Sequence, residues 1–363
     1  LARVGCLDAA AIGLMMAVAG VLRMVTGPLV AAWADGRADR RTPLRVLALA
    51  ALAAVVALRF VRSPAAVMLL AVLVELGFWL LIAFVEAAVV RLCPPGGFPG
   101  YGFARGAASL SFVCGNIAVG VLVDSHGPQA IWWWIMLSVG GIAAATLALV
   151  PEPRAAVAPA PFTARLVDGL AMVRRRRFLL LMVGCGLIQA AHQFYYLYAT
   201  RLWMAELGLS AAAAGWLFAF GVVAEAAFLM LMAPRLGAVS PALLVVAGGA
   251  AGALRWLLMA AAPGLPLLLL LQALHALSFT CAFLGGIRGV VALWGHARAP
   301  TAQLVYMTLA NAPAQAAASA LAGFLFVAGG AAAGYGAMAL LSLGGAVAGW
   351  LWWRLPEEEE TCG

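Results

Sequence analysis

Ionisable and polar side chains recur inside the long apolar runs of this chain, at spacings that gather them on shared helix faces. The run Ala65–Val90 carries Glu75 and Glu86, and the run Gly102–Val123 carries Arg105 and Asn116. Glu75 and Glu86 are eleven residues apart, close to three whole turns, so they share one face. The connector Arg91–Tyr101 makes the two runs a hairpin, which brings Glu86 level with Arg105. Holding an ionised side chain at the bilayer centre costs about 3 kcal/mol even on insertion scales. Such a pair therefore either locks two helices or lines a wet cavity. Further along, Gln189, His192, Gln193 and Tyr196 stand at i, i+3, i+4 and i+7, one face of a helix. Gln272 and His275 repeat the pattern, as do Tyr306, Asn311 and Gln315, with Pro313 expected to kink that run. Glu225 and Arg255, in consecutive runs, echo Glu86 and Arg105. Polar groups of this kind act as hydrogen-bonding glue or as the lining of an aqueous cavity, and their recurrence in both halves favours the cavity. The chemistry on offer is that of a polar cavity within the membrane, and nothing points to ATP hydrolysis or covalent catalysis. Nucleophilic triads, Walker loops, dinucleotide fingerprints and Cys/His metal spacing are missing, so no enzyme, cofactor or metal is expected.

The elements that must position these groups are membrane spans. The 363 residues are 66% hydrophobic and 10% charged, with mean hydropathy +1.04; soluble domains are about 25% charged. Eleven runs, from Ala9–Trp33 to Ala332–Trp353, meet the length of about 20 residues that a bilayer demands. The Pro/Ala-rich stretch beginning at Pro151 divides them, giving a bundle over 1–150, a linker over 151–177, a six-helix bundle over 178–354 and an acidic tail over 355–363. Leu7–Gly13 (Leu-Asp-Ala-Ala-Ala-Ile-Gly) repeats as Leu209–Gly215 (Leu-Ser-Ala-Ala-Ala-Ala-Gly), an offset of 202 that also places Arg23 on Glu225. Asp8 and Ser210 are N-cap residues in that repeat. The second half has a helix before the motif, so the repeat implies a first helix ahead of Leu1 and twelve spans in the parent. All 22 basic residues are arginine; alternate loops hold fourteen on one side and four on the other, which makes the richer side cytoplasmic.

Two six-helix halves around a cytoplasmic linker resemble the major facilitator superfamily. Asp35-Gly-Arg37-Ala-Asp-Arg40-Arg41 is similar to its cytoplasmic loop signature. Val85-Glu86-Ala87 followed by Tyr101-Gly-Phe-Ala-Arg105 is similar to the lactose-permease branch, as are Glu225, Arg255 and His275. Phe112 stands where that branch has a sugar-stacking Trp, and Ser278 where it has a proton-carrying glutamate. Ile188–Tyr196, Phe220–Glu225, Leu254–Trp256 and Gln272–His275 resemble the phenylpropionate-permease group over nearly the whole chain. The resemblance implies an all-α polytopic protein with two pseudo-symmetric bundles, a secondary importer working by alternating access. Its expected partners are a proton, the lipid bilayer and a small aromatic carboxylate, with no nucleic acid and no cofactor, and it is expected as a monomer in a bacterial inner membrane. Glu86, Arg105, Phe112, Gln189, His192, Tyr196 and Arg255 are the expected substrate-binding residues. Glu225, His275 and Glu75 are expected to couple protons, and Asp35, Arg37, Arg40 and Arg41 to form a gating loop. Sugar or nucleoside symport, efflux of hydrophobic compounds, and a non-transporting receptor or assembly protein are the other readings.

Overall fold

The computed structural model describes residues 7–35, 37, 39, 41–92, 101–150 and 171–356. In chain order its helices are α1 (Ala9–Asp35), α2 (Arg41–Ala57), α3 (Pro64–Leu92), α4 (Tyr101–His126), α5 (Gln129–Leu147), α6 (Arg176–Ala190), α7 (Gln193–Glu206), α8 (Ala211–Ala238), α9 (Pro241–Ala260), α10 (Leu265–Ala273), α11 (Ala282–Val305) and α12 (Ala312–Arg354). Two π-helical segments, Ala276–Cys281 and Tyr306–Asn311, follow α10 and α11. The described residues are nearly all helical, as the sequence implies. Among the described residues, nine stretches are long and apolar enough to cross a membrane. The number differs from eleven because α2 has only 17 residues and because Tyr306–Arg354 is one stretch. Its helical path breaks at Gly329 and Gly330, the latter at φ 54°, a left-handed conformation that suits glycine.

The chain forms two compact units. The first comprises Leu1–Phe162, Leu197–Val222 and Ser319–Ala328. Within it α2 packs between α3 and α5, and α1 lies on α3. Leu44, Ala48, Leu81 and Ala143 fill one contact, and Met15, Ala19, Val72 and Leu76 the other. Arg45 donates to the carbonyls of Thr146 and Leu147, and Arg41 to that of Leu149, so the basic start of α2 holds the electronegative end of α5. The repeat has a structural counterpart. Asp8 accepts from the Ala11 amide at 2.7 Å and Ser210 from the Ala213 amide at 3.1 Å, as expected of N-caps. The two repeat glycines make equivalent close approaches. A Cβ at Gly13 would stand 2.5 Å from the Ser319 carbonyl oxygen, and one at Gly215 would press against that of Asn116. Tyr198 adds a hydrogen bond to the Ala9 carbonyl at 2.7 Å, and both Asp124 carboxylate oxygens accept from the Ala211 and Ala212 amides at 2.8 Å.

The second unit comprises Thr163–Tyr196, Val223–Ala318 and Gly329–Gly363. Phe178, Leu181, Cys185, Val245, Ala282, Tyr306 and Trp352 are the centre of its apolar core. The span Arg176–Glu206 is broken by a turn at Ala191–His192. Gln189 and His192 therefore do not continue the helix that carries Gln193 and Tyr196, a correction to the single-helix reading. Periodicity presumes an unbroken ladder and does not register such a break. Pro313, expected to kink its run, lies in the first turn of α12, directly after the π segment Tyr306–Asn311.

Candidate functional site

In the second unit, α9 approaches its neighbours through Gly248, Gly249 and Gly252. A Cβ at Gly248 would lie 2.7 Å from the Ala282 amide nitrogen, and one at Gly249 2.6 Å from that of Ala346. So close a seat carries Arg255, one turn beyond Gly252, into the interior, where it is 0% exposed. A guanidinium persists there only if its donors are used. Nε donates to the Leu271 carbonyl at 2.8 Å, and the two Nη groups reach Gln272 Oε1 at 3.2 Å and His275 Nδ1 at 3.1 Å. Tyr195 and Trp256 cover the guanidinium, with ring centroids 4.6 and 4.2 Å from Cζ. Tyr195 also donates to Gln272 Oε1 at 2.7 Å.

Arginine only donates, so His275 accepts through Nδ1 and carries its proton on Nε2. That Nε2 faces Glu225 Oε2 at 3.9 Å. The side chains of His275 and Glu225 are 9% and 22% exposed, so the series Arg255, His275, Glu225 runs from fully enclosed to accessible. The π segment begins immediately after His275. His192 sits in the turn between α6 and α7 and has the opposite tautomer. Its Nδ1 lies 2.9 Å from the Ile188 carbonyl, which can only accept, leaving Nε2 a bare acceptor. Among the described residues Nε2 is buried without a partner, while the ring meets Trp256 edge-on at 5.1 Å. Tyr196 stacks on His192 at 6.0 Å and is itself 47% exposed.

The structure thus gathers His192, Tyr196, Glu225, Arg255 and His275 in one cluster. Gln189 is buried on α6. Ser278 turns back on its own helix, donating to the His275 carbonyl at 3.2 Å. In the first unit, Glu86 and Phe112 are exposed on α3 and α4. Arg105 belongs to α4, but its side chain lies outside the described residues. Glu75 accepts a hydrogen bond from Trp79 Nε1 at 2.7 Å. Of the loop signature, Arg37 stacks over Trp33 and Arg41 binds Asp39 through Nε at 2.7 Å, while Arg40 and the Asp35 side chain lie outside the described residues. Sequence reasoning overlooked Trp256 as a partner of Arg255. An aromatic directly after an intramembrane arginine was its available signal.

A model of the MFS_1 like family matches residues 3–337. The chain belongs to that family. It is an integral multi-pass membrane protein of a transporter family, not an enzyme. A curated relative, the probable 3-phenylpropionic acid transporter of Escherichia coli (strain K12), is 30% identical over 320 residues, covering 87% of this chain and 82% of its own. Two solved structures share the family's fold. The nucleoside transporter NupG superposes with TM-score 0.77 at 15% identity, covering 96% of this chain and 92% of its own. A peptide transporter POT in complex with sulfate superposes with TM-score 0.73 at 17% identity, covering 97% and 87%. The superfamily and phenylpropionate-permease likeness read from the sequence is borne out.

Proposed function

We propose that the protein imports a small aromatic carboxylate, such as 3-phenylpropionate, together with a proton. One observation carries this reading. Arg255 is enclosed with a carbonyl, an amide and an imidazole as its hydrogen-bond partners, and His275 links it to the more accessible Glu225. A guanidinium solvated by neutral groups keeps its positive potential, which favours an anion nearby. A carboxylate deprived of water holds a proton, and one close to a guanidinium gives it up. Glu225 is the proton carrier on this reading, and His275, with Nε2–H toward it, is the relay. The aromatic body of the substrate meets Tyr196 and the surrounding rings. The E. coli relative's name points to the same substrate class.

The test is uptake of radiolabelled 3-phenylpropionate into proteoliposomes with an imposed inward proton gradient. Accumulation above equilibrium, abolished by a protonophore, is the expected result. Accumulation that ignores the protonophore overturns proton coupling, and no uptake at all overturns the substrate.

A further inference from the structure

Another intramembrane cation, Arg23, lies in the first unit, on α1. Arg23 is fourteen residues from Ala9, about 21 Å along the helix at 1.5 Å per residue, so it lies deep in the span. Its guanidinium carbon stands 4.6 Å from the ring centroid of Trp79 on α3. The same indole donates its N–H to Glu75 Oε1 at 2.7 Å. Cation, aromatic plane and carboxylate thus form a chain, in which the indole is fixed by Glu75 and the guanidinium rests on the indole face. Among the described residues, no carbonyl or carboxylate accepts a hydrogen bond from Arg23. Among the described residues its donors are therefore unspent, at a depth where burying an arginine is costly. Arg23 is half-buried and Trp79 is 42% exposed, so protein does not close over the pair.

We infer that Arg23 and Trp79 form a binding site for an aromatic carboxylate, the carboxylate meeting the Arg23 fork and the ring lying along the indole. This assignment rests on the transport reading above and adds a recognition element to it. A planar guanidinium with free N–H groups matches a carboxylate in a bidentate manner, which a point charge does not. Stacking against Trp79 removes one face of the guanidinium from water and orients its edge. Glu75 holds the indole in place and is the counter-charge with which an incoming anion competes. The offset that maps Arg23 onto Glu225 thus pairs a base in one half with an acid in the other.

The experiment measures binding of 3-phenylpropionate to the purified full chain in nanodiscs, with wild type, Arg23→Gln and Glu75→Gln in parallel. Arg23→Gln should weaken binding about tenfold or more, the scale of one lost charge-assisted pair. Glu75→Gln removes the competing charge and should tighten binding severalfold, a gain that misfolding does not produce. If wild type binds and neither variant changes the affinity, Arg23 is a packing residue and the transport reading stands alone. If wild type binds no 3-phenylpropionate, the substrate reading falls and this assignment falls with it.

Discussion

Arg255 is held by a carbonyl, an amide and an imidazole, an arrangement that solvates its charge without cancelling it. Lysine cannot serve three acceptors spread around a planar fork, nor fill the gap between Tyr195 and Trp256. Arg255→Lys should therefore abolish uptake and cost about 2 kcal/mol through stranded acceptors, read as a lowered Tm of the purified protein. Glu225 lies at the accessible end of the series and is 22% exposed, so its replacement disturbs packing little. Glu225→Gln should keep the Tm and still exchange labelled for unlabelled substrate, while accumulation driven by a proton gradient disappears. If accumulation persists with unchanged pH dependence, the proton is carried elsewhere. His192 offers a bare Nε2; asparagine there retains an acceptor and phenylalanine does not. Uptake that survives in His192→Asn and fails in His192→Phe would mark that lone pair as part of recognition.

At the scale of elements, close helix approach does what large side chains do elsewhere. A Cβ at Gly249 would lie 2.6 Å from backbone, whereas nothing lies within 4 Å of one at Gly264. Gly249→Ala should destabilise by about 1–3 kcal/mol, the usual cost of overpacking, with Gly264→Ala unchanged in the same thermal-unfolding series. Several of these elements were legible in the sequence. The repeat announced the caps at Asp8 and Ser210, because Asp and Ser carry a specific backbone role, whereas the close approaches of Gly13 and Gly215 emerge only in the fold. The cluster of Glu225, Arg255 and His275 was legible because charge contrasts sharply with an apolar run. The turn at Ala191–His192 was not, since nothing in Gln-Ala-Ala-His-Gln forbids a continuous helix. Trp256 had a signal in its place directly after Arg255, but Trp79 was not visible as a partner of Arg23, because an aromatic far along the chain adds no contrast where 66% of residues are hydrophobic.

For the whole molecule, the arginine asymmetry predicts the topology, and the helix ends supply places to test it. Ser63 precedes α3 and Ser240 caps α9, and the two fall on opposite sides if the basic loops are cytoplasmic. In a cysteine-free background, Ser63→Cys should react with an impermeant thiol reagent added to intact cells, and Ser240→Cys only after permeabilisation. Reversed labelling would invert the orientation. The close approaches of Gly13 and Gly215 bear on a different quantity, the water the protein takes up. Backbone lies against backbone there, so parting these helices needs few rotamer changes but hydrates bare peptide groups, along with the Asp124 and Tyr198 hydrogen bonds that accompany them. A transport cycle that parts this seam draws in water at each turnover. Excluded osmolytes such as sucrose, which penalise newly wetted surface, should then slow transport in proportion to their osmolality.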